Sequence, residues 1–141
     1  MNSNKPILLV EDDEVDIIMV ERALKALKVT NSLEVALNGE EALEYLKDSE
    51  KARPCIILLD LNMPRMNGIE FLKERYLDDA IKNIPVVVLT SSEDEQDIVR
   101  SYSFCVAGYM VKPVDYKQFV ETIRVIDLYW TISQFPPTCI K

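Results

Sequence analysis

Short apolar runs and helical stripes alternate along this chain. Residues 6–10, Pro-Ile-Leu-Leu-Val, form a continuous apolar run of the kind that makes a strand covered on both faces. From residue 14 to about 28, Val15, Ile18, Met19, Ala23 and Leu27 return at helical spacing. Residues 33–37 carry a weaker strand pattern. Asn38, with Glu41 three positions on, gives a capping box, and the helix it opens turns Ala42, Leu43 and Leu46 inward. Residues 55–59 are the clearest strand and end at Asp60; a loop with Pro64 and Gly68 leads into a helix through Phe71 and Leu72. Residues 85–89 form the fourth strand, ending at Thr90, and Ser92 with Glu95 marks the next helix start. Residues 108–111 form the fifth, ending at Lys112-Pro113, and Asp115 with Gln118 opens the last helix.

Strands alternating with helices imply right-handed crossovers and a parallel sheet. The expected fold is α/β: a doubly wound, flavodoxin-like five-stranded sheet of order 2-1-3-4-5, with helices on both faces. It divides as a tail over residues 1–5, a main domain over 6–126, and a helical extension and tail over 127–141. The last helix has two apolar faces. Phe119, Ile123, Ile126 and Trp130 form a stripe that docks on the sheet, and Val125, Leu128, Tyr129 and Ile132 form a second, which Phe135, Pro136 and Pro137 extend. An uncovered second stripe points to a homodimer.

Composition narrows the function. A chain of 141 residues fits one domain. No apolar run is long enough to span a bilayer, and no apolar leader precedes the first strand, so the expectation is a cytoplasmic protein off the membrane. Sixteen basic against 24 acidic residues, net charge −8, argue against nucleic acid as partner. Cys55, Cys105 and Cys139 show no metal-ligand spacing and read as structural thiols of a reducing compartment. Histidine is absent, which removes the commonest metal ligand and general base.

In doubly wound sheets ligands bind outside the carboxyl ends of the strands. Strand 1 delivers Glu11, Asp12 and Asp13 there, strand 3 Asp60, strand 4 Thr90 and Ser91, and strand 5 Lys112. The order 2-1-3-4-5 makes these four strands consecutive neighbours, so residues spread along the chain gather in one crevice. Carboxylates held together repel, and a hard divalent cation such as Mg²⁺ relieves the repulsion. Asp60 is then a carboxylate nucleophile able to form an aspartyl phosphate, with Thr90 and Lys112 to receive the phosphoryl oxygens. Taken singly, each residue has a plainer reading, and Asp13 is read as the cap of the first helix. Their conjunction at one sheet edge carries the functional reading.

Residues 7–13 (ILLVEDD), 58–68 (LLDLNMPRMNG), 88–92 (VLTSS) and 108–114 (GYMVKPV) resemble the receiver domains of two-component signalling. The resemblance runs from about Pro6 to Ile126. It implies that Asp60 is the phosphoacceptor, that Asp12 binds the metal directly and Glu11 through water, and that Asn62 offers its main-chain carbonyl. The metal is Mg²⁺, with Mn²⁺ as a substitute. Thr90 and Tyr109 become the switch pair, Lys112 the family's lysine, and the Lys112-Pro113 bond is expected to be cis. The phosphoryl donor is a sensor histidine kinase or a phosphotransfer protein. The chain is then a response regulator, a signalling protein and not an enzyme beyond slow self-catalysed phosphorylation and dephosphorylation. The longer stretch over residues 47–54 and the residues after Ile126 are similar to stand-alone regulators that partner phytochrome-type kinases. Fifteen residues after Ile126 are too few for a DNA-binding output module, so output is expected through protein contact.

One departure concerns the end of the fourth helix, where the family usually has glycine and this chain has Cys105. A non-glycine residue in the left-handed conformation costs roughly 1–2 kcal/mol, so this end is expected to be remodelled. Rival readings fail on residues. An aspartyl-nucleophile phosphohydrolase needs an acid two positions after Asp60, where Asn62 stands. A flavodoxin-type carrier needs a phosphate-cradling loop where Glu11-Asp12-Asp13 stand. A pseudo-receiver would not keep the whole acid, hydroxyl and lysine set.

Overall fold

The computed structural model describes residues 4–132, without the side chains of residues 131 and 132. Five strands and five helices alternate: β1 (Ile7–Val10), α1 (Glu14–Ala26), β2 (Leu33–Ala36), α2 (Gly39–Lys47), β3 (Ile56–Leu59), α3 (Gly68–Tyr76), β4 (Val86–Thr90), α4 (Glu95–Ser103), β5 (Gly108–Val111) and α5 (Tyr116–Ile132). The sheet is parallel throughout, in the order β2-β1-β3-β4-β5. This is the doubly wound arrangement that the alternation of patterns predicts.

The two-residue period of a strand sorts the central side chains into two cores. Leu8, Val10, Ile57, Leu59, Val86 and Val88 face one way and are covered by Ala42 and Leu43 of α2 and by Phe71 and Leu72 of α3. Ile7, Leu9, Ile56, Leu58, Val87 and Leu89 face the other way, onto Val20, Ala23 and Leu24 of α1 and Phe119, Ile123 and Ile126 of α5. The docking stripe of α5 is as expected, with Trp130 packed at its edge. The expected face of α1 is rotated. Ala23 is buried and Met19 and Leu27 pack partly, but Val15 is 64% and Ile18 45% exposed. Four successive apolar residues, 17–20, leave the phase open, and the pairing of Val20 with Ala23 and Leu24 settles it.

Helix starts follow local hydrogen bonding, with two differences from expectation. Asn38 caps α2, but Glu41 reaches back to the Leu37 amide rather than that of Asn38 (3.0 Å). Asn67 and Glu70 make a reciprocal capping box at α3. The cap of α4 is Asp94, not Ser92, because the Ser92 hydroxyl is drawn to Asp97 (2.8 Å). Asp13 caps α1. No peptide bond among the described residues is cis, so the expected cis Lys112-Pro113 bond is trans; the two X-Pro forms lie close enough in energy for context to decide.

The end of α4 keeps its left-handed residue. Cys105 has φ 64°, and its amide bonds Tyr102 O at 3.0 Å, so the conformation persists without glycine. Arg75 holds it from below. This guanidinium is 1% exposed and donates to Phe104 O (3.0 Å) and to Ile84 O (2.8 Å). Burial lowers its pKa to about 10. Cys105 is disulfide-bonded and Cys55 is a free thiol, whereas the sequence reading expects reduced thiols; Cys139 lies outside the described residues. Spacing along a chain does not tell which sulfurs meet in space. The expected extension of the second α5 stripe by Phe135, Pro136 and Pro137 also lies outside the described residues.

Arg75→Ala strips the buried Ile84 carbonyl and the half-buried Phe104 carbonyl of their donor and opens a cavity beneath α4. It is expected to cost roughly 2–4 kcal/mol, read as a lower urea midpoint at unchanged slope. A change under 1 kcal/mol would show that the α4 end is held by other means.

Candidate functional site

The register of the sheet builds the crevice. Val10 pairs with Leu59 and the Asp60 amide bonds Val10 O (3.0 Å), so Glu11 and Asp60 leave neighbouring strands side by side. On the far side Thr90 pairs with Val111, and the Lys112 amide bonds Thr90 O (2.8 Å). Apolar burial of the strands fixes where each polar side chain emerges. Beyond Asp60, the buried side chains of Leu61 and Met63 anchor the loop, and Asn62 between them is exposed. The loop returns through Gly68, whose amide bonds Leu61 O (3.0 Å). A Cβ on Gly68 would stand 2.6 Å from Asp60 O, so only glycine lets the start of α3 come this close to the strand end.

Carboxylate oxygens of Glu11, Asp12 and Asp60 lie within 4.8 Å of one another. Glu11 is 2% and Asp60 6% exposed, while Asp12 faces solvent. Lys112 enters from the other side. Its Nζ lies 2.5 Å from Glu11 Oε1, 2.8 Å from Asp16 Oδ2 and 3.8 Å from Asp60 Oδ1. Burial pushes the Glu11 carboxyl up to about 7, outweighing the hydrogen bond from Lys112, and the Asp60 charge adds to the rise. Burial acts to lower the Lys112 pKa, but hydrogen bonds to Asp16 and Glu11 prevail and the net shift is upward.

Of the residues expected at the site, Glu11, Asp12, Asp60 and Lys112 come together here. Thr90 is fully buried at the end of β4, its Oγ1 accepting from the Ser92 amide (3.4 Å). Tyr109 is turned inward, its phenol donating to Ser92 O (3.0 Å). Burial, the largest influence, raises its pKa. Asp13 stands apart as the α1 cap, its carboxylate bonding the Val15 and Asp16 amides. Sequence reasoning missed Asp16. The signal was present: Asp16, Val20, Ala23 and Leu24 share one face of α1, so an acid sits on the inward stripe one turn above the buried residues.

Residues 7–124 match the response regulator receiver domain. The chain belongs to the response-regulator receiver family. This receiver is 36% identical to the response regulator Rcp1 of Synechocystis sp. over 133 residues, covering 92% of the chain and 90% of that protein. Its fold is similar to that of the phosphorylated cyanobacterial phytochrome response regulator RcpA, with a TM-score of 0.88 at 36% identity, covering 96% and 100% of the two chains. The Mn²⁺-bound form of Rcp1 gives a TM-score of 0.85 at 35% identity, over 94% of this chain and 99% of that one. Receiver domains are signalling proteins rather than enzymes and partner sensor histidine kinases. Among the described residues, no helix is long and apolar enough to cross a membrane.

The receiver binds Mg²⁺ at its acidic site. The residues fit that ion: three converging carboxylates, one of them holding its proton to near neutrality, supply hard oxygen ligands whose repulsion a dication relieves.

The raised Glu11 carboxyl makes the linkage testable. A carboxyl whose folded pKa exceeds its unfolded value stabilises the fold below the unfolded value and loses that contribution as pH rises through the folded one. Metal-free protein is therefore expected to lose stability between about pH 5 and pH 8, with Mg²⁺ opposing the loss. Mg²⁺ binding at about pH 7 is expected to release roughly half a proton, falling toward zero by about pH 8.5. Calorimetry in two buffers of different ionisation enthalpy measures this; proton release that stays flat across the range would contradict the placement of Glu11 in the metal site.

Proposed function

We propose that this receiver accepts a phosphoryl group on Asp60 from a sensor histidine kinase, of phytochrome type, and signals through the α4-β5-α5 face as a homodimer. The observation that carries it is the position of Asp60: nearly buried at the end of β3, with carboxylate oxygens of Glu11 and Asp12 within 4.8 Å and the Lys112 ammonium 3.8 Å away. Asp12, Asp60 and the main-chain carbonyl of Asn62 would hold Mg²⁺, with Glu11 acting through water; when bound, the ion supplies positive charge against the equatorial phosphoryl oxygens.

The remaining chemistry belongs to the chain's own groups. An Asp60 carboxylate oxygen attacks phosphorus, the new O–P bond forms as the donor's P–N bond breaks, and the imidazole leaves with the electron pair. Lys112 takes up one phosphoryl oxygen by a charge-assisted hydrogen bond, and the Thr90 hydroxyl donates to another. A side-chain phosphate adds roughly 1.5–2 negative charges in a crevice already acidic. Thr90 drawn toward it tugs the loop that carries Ser92, and Tyr109 is bonded to that loop through Ser92 O. In this way chemistry at β3 reaches the face of α4, β5 and α5.

Similarity to Rcp1 and RcpA supports a phytochrome-type donor. The dimer rests on α5, whose outward residues Val125, Leu128 and Tyr129 are 47%, 47% and 50% exposed while the opposite stripe is buried. Ile132 completes that outward stripe in sequence. A monomer leaves an apolar face wet, and a two-fold pair is the simplest way to cover it.

Incubation with acetyl phosphate is expected to add one phosphoryl group to the wild type only with Mg²⁺ present, and none to Asp60→Asn, by intact-protein mass. Label retained in Asp60→Asn would refute the assignment. Sedimentation tests the second part: the wild type is expected to be dimeric at micromolar concentration, and Tyr129→Glu monomeric with unchanged circular dichroism. A wild type that stays monomeric both with and without beryllofluoride would sink the dimer.

A further inference from the structure

We infer that Asp16 is a positioning residue for phosphoryl transfer: from the first turn of α1 it holds the Lys112 ammonium so that one N–H is left facing Asp60. The inference rests on the reading of Asp60 as phosphoacceptor. A lysine ammonium has three N–H donors. Two are taken, by Asp16 Oδ2 at 2.8 Å and by Glu11 Oε1 at 2.5 Å. The third has no carboxylate at hydrogen-bond distance, because Asp60 Oδ1 lies 3.8 Å away. That gap is too wide for a direct bond to Asp60, and it leaves a donor for an oxygen that Asp60 does not itself carry.

The two holding groups differ in kind. Glu11 belongs to the carboxylate cluster that fits a cation, so its charge would be shared between a bound cation and Lys112. Asp16 lies outside that cluster and is the carboxylate that stays with Lys112 alone. Its backbone is fixed in turn, since the Asp16 amide donates to the α1 cap, Asp13 (3.4 Å). Lys112 is tied at its other end by the hydrogen bond its backbone N–H donates to Thr90 O. A lysine side chain has rotamer entropy to lose, and holding it beforehand removes that loss from the transfer step. Asp16 itself never touches phosphorus.

A merely structural Asp16, tying α1 to β5, predicts a different outcome from an aiming one. The test is the rate of acetyl phosphate labelling at saturating Mg²⁺, where the Asp60 O–P bond forms as the P–O bond to acetate breaks and acetate leaves. Asp16→Ala is expected to lower the maximal rate about tenfold with little change in half-saturating acetyl phosphate. Asp16→Asn, which keeps shape but not charge, should lose less, and Asp16→Glu should recover part of the rate. In a Lys112→Ala background Asp16→Ala should have no further effect, because there is no ammonium left to aim. A second readout needs no phosphoryl transfer: in limited acetylation of the folded protein, Lys112 should be modified several-fold faster in Asp16→Ala than in wild type. Equal losses with and without Lys112, or unchanged Lys112 acetylation, would overturn the inference while leaving Asp60 as acceptor. A wild type labelled elsewhere than Asp60, or not at all, would remove both.

Discussion

The Lys112 ammonium stands against Glu11, Asp16 and Asp60 in a crevice from which burial has taken most of the water that would screen them. Around it are more carboxylates than one lysine can neutralise, and burial, with the Asp60 charge adding to it, lets Glu11 hold its proton to near neutrality. This unbalanced charge is what the fold maintains. Without the apolar register of β1 against β3 and of β4 against β5, the groups would spread apart and each would relax into solvent. Hydrophobic burial of the strands therefore does electrostatic work: it keeps like charges close, where a dication can resolve them.

The two cores divide the labour. The α2/α3 side carries the loop after Asp60, through Leu61, Met63 and the close approach of Gly68. The α1/α5 side carries Asp16 at one end and the outward apolar stripe of α5 along its length. Lys112 joins them, since its backbone continues β5 and its side chain reaches α1. A change of charge at Asp60 is thereby felt by elements on both faces of the sheet.

The strands and the gathering of Glu11, Asp12, Asp60 and Lys112 were legible in the sequence because buried strands leave unbroken apolar runs and the winding rule places their ends together. The inward stripes of α2 and α5 were legible for a similar reason. What escaped depended on contacts that periodicity does not encode. With four apolar residues in a row, α1 could be phased two ways, and the wrong phase turned Val15 and Ile18 inward. That same phase hid Asp16, which lies on the face of Val20 and Leu24, so one rotation accounts for both misses. The α4 cap went to Asp94 because Asp97 claims the Ser92 hydroxyl, a competition no capping motif records. The left-handed Cys105 survived because an arginine thirty positions away in the chain holds the preceding carbonyl.

That arginine also sets the mechanics of α4. Ser101 is the only residue buried within the helix, and the bonds from Arg75 to Phe104 O and Ile84 O lie at its C-terminal end. At the other end the attachments are the Asp94 cap, the Ser92–Asp97 hydrogen bond and the Tyr109 phenol on Ser92 O, all made by half-buried or exposed side chains. A rod clamped at one end and lightly pinned at the other behaves as a lever with its fulcrum at the clamp. A small pull at Ser92, beside Thr90, acts at the longest arm, so displacement falls off along α4 toward Phe104. The end of α4 nearest the site is the more lightly held of the two.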